Sequence, residues 1–342
     1  MKTFIIAEAG INHNGSVKIA KELVDAAAEA GADAVKFQTF KAEELAAKTA
    51  VMADYQIKNT GMKKSQYEML RELELPEAAH RELFTYCGKK KIMFMSTPFD
   101  VASADFLGKL GMEIFKIPSG EITNKPLIQR IAGKKKPLIL STGMSYLGEV
   151  EKAIRWINEA RGHARKSPLL TLLHCVSNYP AVADDVNLLA IKTMKNAFGL
   201  PVGYSDHTMG TEVPIAAAAI GATVIEKHFT LDRTMEGPDH KASLEPHELG
   251  KMVAAIRTVE RAMGDGIKRP VASEQSVSLL ARRSLVAARQ IEAGSTINPD
   301  DIAVKRPGNG ILPEFQEVIV GMKVRRRIEK DSVIMWGNLK DA

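Results

Sequence analysis

Two histidines, His207 in Tyr204-Ser205-Asp206-His207-Thr208 and His228 in Glu226-Lys227-His228-Phe229-Thr230, are the first residues of this chain that point to chemistry. Each follows a short β-branched or apolar run. Two imidazoles on neighbouring strand ends can share one divalent ion, with water and a substrate oxygen in the remaining positions. An open nitrogen and oxygen site of that kind polarises a carbonyl or activates a water. Glu8, Asp206, Glu226 and Asp239 fall near the same rim in sequence terms. Lys36 and Lys116 end two other runs and bring positive charge to the same place. With Ser119-Gly120, Ser141-Thr142-Gly143 and Ser205 they make a cradle for phosphate or carboxylate, built from hydroxyls and backbone N–H groups. A lone strand-end lysine is as often a solvent-exposed side chain with a buried stem, so either lysine taken singly leaves both readings open. Glu8 and Glu121 are candidates for general acid–base work or for binding sugar hydroxyls, and spacing alone does not choose.

These groups need elements to position them. Eight short apolar or β-branched runs recur, at residues 4–9, 34–37, 92–96, 114–117, 137–140, 169–174, 201–203 and 223–226. Helix-like stretches separate them, among them 17–30, 77–89, 101–109, 148–160 and 211–220, with apolar residues at 3.6 spacing. This alternation predicts parallel β/α units, and eight is the number that closes a (β/α)8 barrel. An open doubly wound sheet would place Gly-x-Gly-x-x-Gly after its first strand, and the chain has none there. Every run ends in polar residues, for example Lys36 and Gln38, Ser96-Thr97-Pro98, and His174 through Tyr179. One such cluster is commonly a helix cap, but eight in step describe the active-site face of a barrel enzyme.

After a last helix at 246–263 the pattern breaks at Gly264-Asp265-Gly266. We read residues 1–265 as the barrel, 266–281 as a linker and 282–342 as a small second domain of short strands and turns. Within it, Ile291-Glu292-Ala293-Gly294-Ser295-Thr296-Ile297 is echoed by Ile328-Glu329-Lys330-Asp331-Ser332-Val333-Ile334, which predicts a pseudo-symmetric fold.

Composition limits the rest. Of 342 residues, 45% are hydrophobic and 26% charged, the balance of an ordinary globular protein. The net charge of +6 comes with only 6% aromatics and with short basic runs such as Lys134-Lys135-Lys136 and Arg325-Arg326-Arg327. Such runs are commonly solvated faces, and no nucleic-acid partner is expected. No apolar run approaches the roughly 18 residues that cross a bilayer, so no membrane partner is expected either. Glu8 comes too early for a signal peptide, and two cysteines make no disulfide framework. A cytoplasmic protein is expected.

The motifs also resemble a known family. Ile5-Ile6-Ala7-Glu8-Ala9-Gly10-Ile11-Asn12-His13-Asn14-Gly15 is similar to the opening of the sialic acid synthases. So are Val35-Lys36-Phe37-Gln38-Thr39, Ser96-Thr97-Pro98-Phe99, Lys116-Ile117-Pro118-Ser119-Gly120-Glu121 and Leu140-Ser141-Thr142-Gly143-Met144. His174-Cys175-Val176-Ser177-Asn178-Tyr179-Pro180, Gly237-Pro238-Asp239-His240, Lys305-Arg306-Pro307-Gly308-Asn309-Gly310 and the two histidine motifs complete a resemblance that runs nearly end to end. The C-terminal segment resembles the small antifreeze-like (SAF) domain of that family.

The resemblance implies condensation of phosphoenolpyruvate with an N-acetylmannosamine-type sugar, giving a nine-carbon 2-keto acid and phosphate. It implies a divalent metal on His207 and His228, manganese first, with magnesium or cobalt as alternatives. Lys36, Thr97, Lys116, Ser119, Ser141 and Ser205 match positions that hold phosphoenolpyruvate. Gln38, Glu121, Tyr179 and Asp239 match the sugar side, and Glu8 matches an acidic group near the reacting centre; Glu8 and Asp239 are the expected catalytic residues. It further implies a homodimer with exchanged C-terminal domains, in which Arg306 reaches the sugar of the other subunit's site. Two departures stand out. Ser177 replaces an asparagine that contacts phosphoenolpyruvate, leaving Ser177 or Asn178 for that role, and Leu280 replaces a phenylalanine near the sugar. The expected reaction uses N-acetylmannosamine and yields N-acetylneuraminate. The alternative is a 2,4-diacetamido-2,4,6-trideoxyhexose, as in legionaminic or pseudaminic acid synthases. A 3-deoxy-keto-acid synthase is disfavoured by the SAF segment and the histidine pair. A carbohydrate- or ice-binding protein would leave eight polar strand ends idle.

Overall fold

Residues along each barrel strand alternate between an inner and an outer environment, and one parity carries the charged cluster of the site. The computed structural model describes residues 2–61, 64–162 and 170–340. Eight strands form one parallel sheet: β1 (Phe4–Gly10), β2 (Ala34–Thr39), β3 (Met93–Pro98), β4 (Phe115–Ile117), β5 (Leu138–Ser141), β6 (Leu170–Cys175), β7 (Val202–Asp206) and β8 (Val224–His228). Their order is β3-β2-β1-β8-β7-β6-β5-β4. The end strands β3 and β4 lie in contact without a hydrogen-bonded ladder, which closes the (β/α)8 barrel.

Ile6, Ala34, Met95, Ile139, Leu173 and Val224 meet inside as an apolar floor, with Ile114 packed against them. Two residues further along the same strands come Glu8, Lys36, Thr97, Lys116, Ser141, Cys175 and Glu226. Side chains two apart share a face, so the sequence that seals the floor also aims the polar groups into the mouth. The opposite parity, including Ile5, Val35, Leu140, Tyr204 and Ile225, packs outward under the helices.

Several strands run further than the sequence pattern predicted. β2 continues to Thr39, β3 to Pro98, β7 to Asp206 and β8 to His228. Their polar ends looked like loops because polarity usually marks exposure, whereas here those side chains face an enclosed lumen. Leu169, placed at the start of the sixth run, lies outside the described residues, as do the outer bounds 1 and 342 of the expected domains.

Helices follow the strands as expected, for example Val17–Glu29, which buries Ala20, Leu23, Val24 and Ala27 at helical spacing and is capped by Ser16. Between β2 and the helix Glu77–Lys90 the chain makes an insertion with three short helices, Ala42–Leu45, Asp54–Thr60 and Gln66–Leu73. It has its own small core of Ile11, Phe40, Met52, Met69, Leu70 and Leu73.

The chain divides into two compact units, Met1–Gly264 and Asp265–Ala342. The second unit begins with a segment read as linker, which carries the helix Gln275–Ala281. Beyond it, β9 (Ser284–Ala287) pairs antiparallel with β10 (Ile302–Lys305), and β11 (Lys323–Val324) with β12 (Leu339–Lys340). The internal repeat has a structural counterpart. Ile291 and Ile328, the first residues of its two halves, exchange both backbone hydrogen bonds at 2.9 Å. Ile297 and Ile334, the last residues, are both buried in that unit's core. Among the described residues no helix is long and apolar enough to cross a membrane.

Candidate active site

The polar ends of the barrel strands enclose a cavity of about 380 Å³. Four charged side chains meet at its base. Lys36 Nζ lies 2.6 Å from Glu8 and 3.7 Å from Glu226, while Lys116 Nζ lies 2.7 Å from Glu226. Thr97 Oγ1 accepts from Lys36 at 2.9 Å, and Ser205 Oγ donates to Glu226 at 2.9 Å. All four charged groups are buried. Burial works to raise the Glu226 carboxyl, but Lys116 and Lys36 outweigh it and hold Glu226 well below the usual carboxylate range. Glu8 moves the other way, because burial and the neighbouring Glu226 charge exceed what Lys36 gives back. Burial lowers Lys116, whereas Glu226 and Glu8 overcome burial at Lys36 and raise it.

The wall beside this cluster gathers hydroxyls and a thiol around Gly143. Gly143 N–H donates to Ser119 Oγ at 3.0 Å, and Ser119 Oγ contacts Cys175 Sγ at 3.0 Å. A Cβ at Gly143 would fall on Ser177 Oγ and within 2.9 Å of Ser119 Oγ and Cys175 Sγ, so glycine lets three polar side chains converge. Ser141 Oγ is buried there with no hydrogen-bond partner among the described residues. An unmatched buried hydroxyl beside two lysines suits a ligand oxygen.

Aromatic groups continue the lining from this cluster, since His228 is the register partner of Glu8. His207 and His228 have ring centroids 5.5 Å apart, and Tyr179 packs 4.0 Å from His207 and edge-on to His228. Tyr55, from the insertion, stacks on Tyr179 at 5.2 Å. Burial holds both imidazoles neutral: His207 is pushed down to about 4 and His228 well below its ordinary value. His207 Nδ1 is engaged with the Val176 carbonyl at 2.5 Å, and His228 Nδ1 is buried without a hydrogen-bond partner among the described residues. Neutral imidazoles, one oriented through its second nitrogen, fit a divalent ion. Among the described residues no group of three or more His, Cys, Asp or Glu is arranged to hold one, so two histidines would leave its other positions to water and substrate.

Most of the residues singled out from the sequence line this one cavity: Glu8, Lys36, Gln38, Thr97, Lys116, Ser119, Ser141, Ser177, Tyr179, Ser205, His207 and His228. Four do not. Asn178 is exposed and its side chain accepts from the Tyr179 N–H, so Ser177, not Asn178, occupies the wall. Glu121 accepts from Asn124 at 2.7 Å on the turn beyond the cavity. Asp239 is buried behind Tyr55 and Tyr179, where its charge acts on both hydroxyls, and burial pushes its own carboxyl up to about 6. Arg306 belongs to the second unit, where its Nε donates to the Ala281 carbonyl at 3.0 Å. Glu226 was marked from sequence only as lying near the rim, and its place between two lysines emerges from strand register. Tyr55, Gln66 and Phe99 also line the cavity without any strand-end motif to single out the first two.

A parallel barrel with cations, hydroxyls and neutral imidazoles converging at the carboxyl ends of its strands is a (β/α)8 enzyme that handles an anion beside a carbonyl compound. Residues 23–268 match the NeuB family and residues 282–340 the SAF domain, and the chain belongs to the NeuB family of sialic acid synthases. It is 49% identical over 333 residues to N,N'-diacetyllegionaminic acid synthase of Campylobacter jejuni, covering 97% of this chain and 99% of that protein. With the enzyme of the same name from Legionella pneumophila it shares 49% over 340 residues, 99% of this chain and 95% of that one. Among solved structures it is similar to the N-acetylneuraminic acid synthetase of Leptospira borgpetersenii, determined with citrate, at 38% identity and a TM-score of 0.70, covering 81% and 90% of the two chains. The chain is a phosphoenolpyruvate-dependent condensing enzyme, as the motifs implied.

Proposed function

We propose that the protein is an N,N'-diacetyllegionaminic acid synthase, joining phosphoenolpyruvate to a 2,4-diacetamido-2,4,6-trideoxyhexose with release of phosphate. The observation that carries this acceptor is 49% identity, over nearly the whole of both chains, to two enzymes of that name. It moves the reading away from N-acetylmannosamine, which the sequence motifs put first.

Phosphoenolpyruvate fits the end of the cavity with Lys36, Lys116, Ser119, Ser141 and Ser205, where two buried cations face an anion. In the reaction, C3 of the enol attacks the aldehyde carbon, forming the new C–C bond and leaving C2 electron-poor. Water adds to C2 and loses a proton, and the aldehyde oxygen gains one. The bond between C2 and the phosphate oxygen then breaks, the C2 hydroxyl giving up its proton to the departing phosphate as the ketone forms. Glu8, with its affinity for a proton raised by burial, is the group that gives the aldehyde oxygen its proton. Glu226, kept ionised, holds Lys116 and Lys36 in place beneath the anion. Tyr179 and Gln38 bound the acceptor's side of the cavity. A divalent ion, manganese with magnesium or cobalt as alternatives, held by His207 and His228, would supply Lewis-acid polarisation of a carbonyl. A cytoplasmic homodimer with exchanged C-terminal domains, completing each site through Arg306, belongs to the same reading.

The test is phosphate release from phosphoenolpyruvate with each acceptor, followed by mass analysis of the product. Turnover of the diacetamido sugar at a kcat/KM above that of N-acetylmannosamine supports the reading; the reverse order returns the enzyme to N-acetylneuraminate.

A further inference from the structure

Tyr55 lines the cavity from outside the barrel strands. It projects from the helix Asp54–Thr60 of the insertion, away from every strand end, yet it forms part of the cavity wall. Its ring lies nearly parallel to Tyr179, at 5.2 Å and 28°. Tyr179 in turn lies 4.0 Å from His207, and His207 lies 5.5 Å from His228. Tyr179, His207 and His228 form one three-ring cluster, and Tyr55 extends it toward the insertion. The helix bearing Tyr55 is fixed at its far end, since Asn59 Nδ2 donates to the Pro238 carbonyl at 2.7 Å and Lys241 Nζ reaches the Asn59 carbonyl at 3.2 Å.

Lys36 and Lys116 meet Glu226 inside the barrel and Tyr55 enters from the insertion, so the acceptor extends from the charged cluster toward the insertion. Its aldehyde sits toward the histidines and the anion, and its remote carbons run along Tyr179 to Tyr55. The two acceptors differ at that remote end. N-acetylmannosamine carries hydroxyls at C4 and C6, whereas the diacetamido trideoxy sugar carries an acetamido group at C4 and a bare methyl at C6. An aromatic face gains from contact with methyl groups and offers a hydroxyl no hydrogen bond to replace the water it loses. We infer that the ring of Tyr55 receives the remote end of the acceptor and selects the sugar with the 4-acetamido and 6-methyl groups. This assignment rests on the function proposed above.

Steady-state kinetics with both sugars on the wild-type chain, Tyr55→Phe, Tyr55→Leu and Tyr55→Ala test it, with N-acetylmannosamine measured as a competitive inhibitor where it is not turned over. Tyr55→Ala should lower the preference for the diacetamido sugar about tenfold, the scale of a lost apolar contact in a pocket. The loss should fall on the KM of that sugar, with its kcat and the KM for phosphoenolpyruvate unchanged. Tyr55→Phe should keep the wild-type preference, because the ring face and not the hydroxyl discriminates. Thermal unfolding reports whether each variant folds, and if the alanine variant does not, Tyr55→Leu decides by the same ratio. Equal losses for both sugars, or an unchanged ratio in the alanine and leucine variants, would overturn the role of Tyr55 alone. A wild-type enzyme that prefers N-acetylmannosamine would instead overturn the proposed acceptor, and the inference with it.

Discussion

Asp206 and Lys227 are register partners on β7 and β8, and their side chains form a fully buried ion pair of 2.5 Å on the outer side of the barrel. Each immediately precedes one of the two site histidines. Tyr204 and Thr208 also donate to Asp206, so the residues on both sides of His207 are tied to one carboxylate. A buried pair of this kind adds little over well-packed apolar residues, but removing one partner strands the other. Lys227→Met should therefore cost about 3–5 kcal/mol of stability in urea unfolding. Adding Asp206→Asn should recover part of that loss. A single-variant loss below about 1 kcal/mol would mean that water reaches Asp206 when the lysine is gone.

His207→Ala or His228→Ala should reduce divalent-ion affinity by two orders of magnitude or more, roughly the upper end of what outer-shell changes alone produce. Titration calorimetry with manganese on chelator-treated protein reads this directly, with circular dichroism as the fold control. Unaltered ion affinity in both variants would place the ion elsewhere than on these two histidines.

Lys116→Ala should raise the KM for phosphoenolpyruvate while leaving that for the sugar unchanged. The expected cost is on the order of 2–5 kcal/mol, because the variant loses a cation to the substrate and leaves Glu226 partly unpaired. Competition binding with inorganic phosphate provides a second measure. A phosphoenolpyruvate dependence equal to the wild type would place Lys116 outside the anion's reach.

Asp239 should make the barrel lose stability as pH rises. Burial lifts its carboxyl from an ordinary 3.8 to about 6 in the folded chain, so the folded state holds the proton more tightly than the unfolded state does. The contribution is complete below about pH 4 and is lost through about pH 6, a change of about 3 kcal/mol. Asp239→Asn mimics the protonated form and should be the more stable protein above pH 6, with the difference vanishing near pH 4. Urea unfolding of both proteins across that range checks the sign; a difference independent of pH would contradict it.

Mixed dimers test Arg306. Under the proposed exchange of C-terminal domains, a His207→Ala chain combined with an Arg306→Ala chain forms one site with both residues intact. Activity above the sum of the two parents, after subunit exchange is confirmed, is the expected result. Activity equal to that sum would mean that Arg306 acts in its own chain or not at all.

Much of this site is legible in the sequence because a barrel converts strand ends into neighbours. Lys36, Lys116, Ser141, Ser205 and His228 are far apart in the chain, yet each lies at the carboxyl end of a strand, and that shared position alone brings them together. What is not legible depends on parity and register. The eighth run was ended at Glu226, so its carboxylate was not given the central position that the inward parity of Val224, Glu226 and His228 assigns to it. Asn178 and Glu121 sit inside strong motifs, but one serves its own turn and the other a neighbouring asparagine. Tyr55 comes from an insertion whose path over the barrel is set by its own apolar cluster and by Asn59, features that leave no periodic signal.

Seven of the junctions between barrel strands are hydrogen-bonded ladders, and the one between β3 and β4 is contact alone. In mechanical terms the barrel is a split ring rather than a hoop. Lys36 and Thr97 stand on one side of the split, Lys116 and Ser119 on the other. Side-chain packing, not a ladder, holds that junction. Glu226 spans the split from within, holding Lys36 on one side and Lys116 on the other, so a single carboxylate fastens the ring where the ladder is missing.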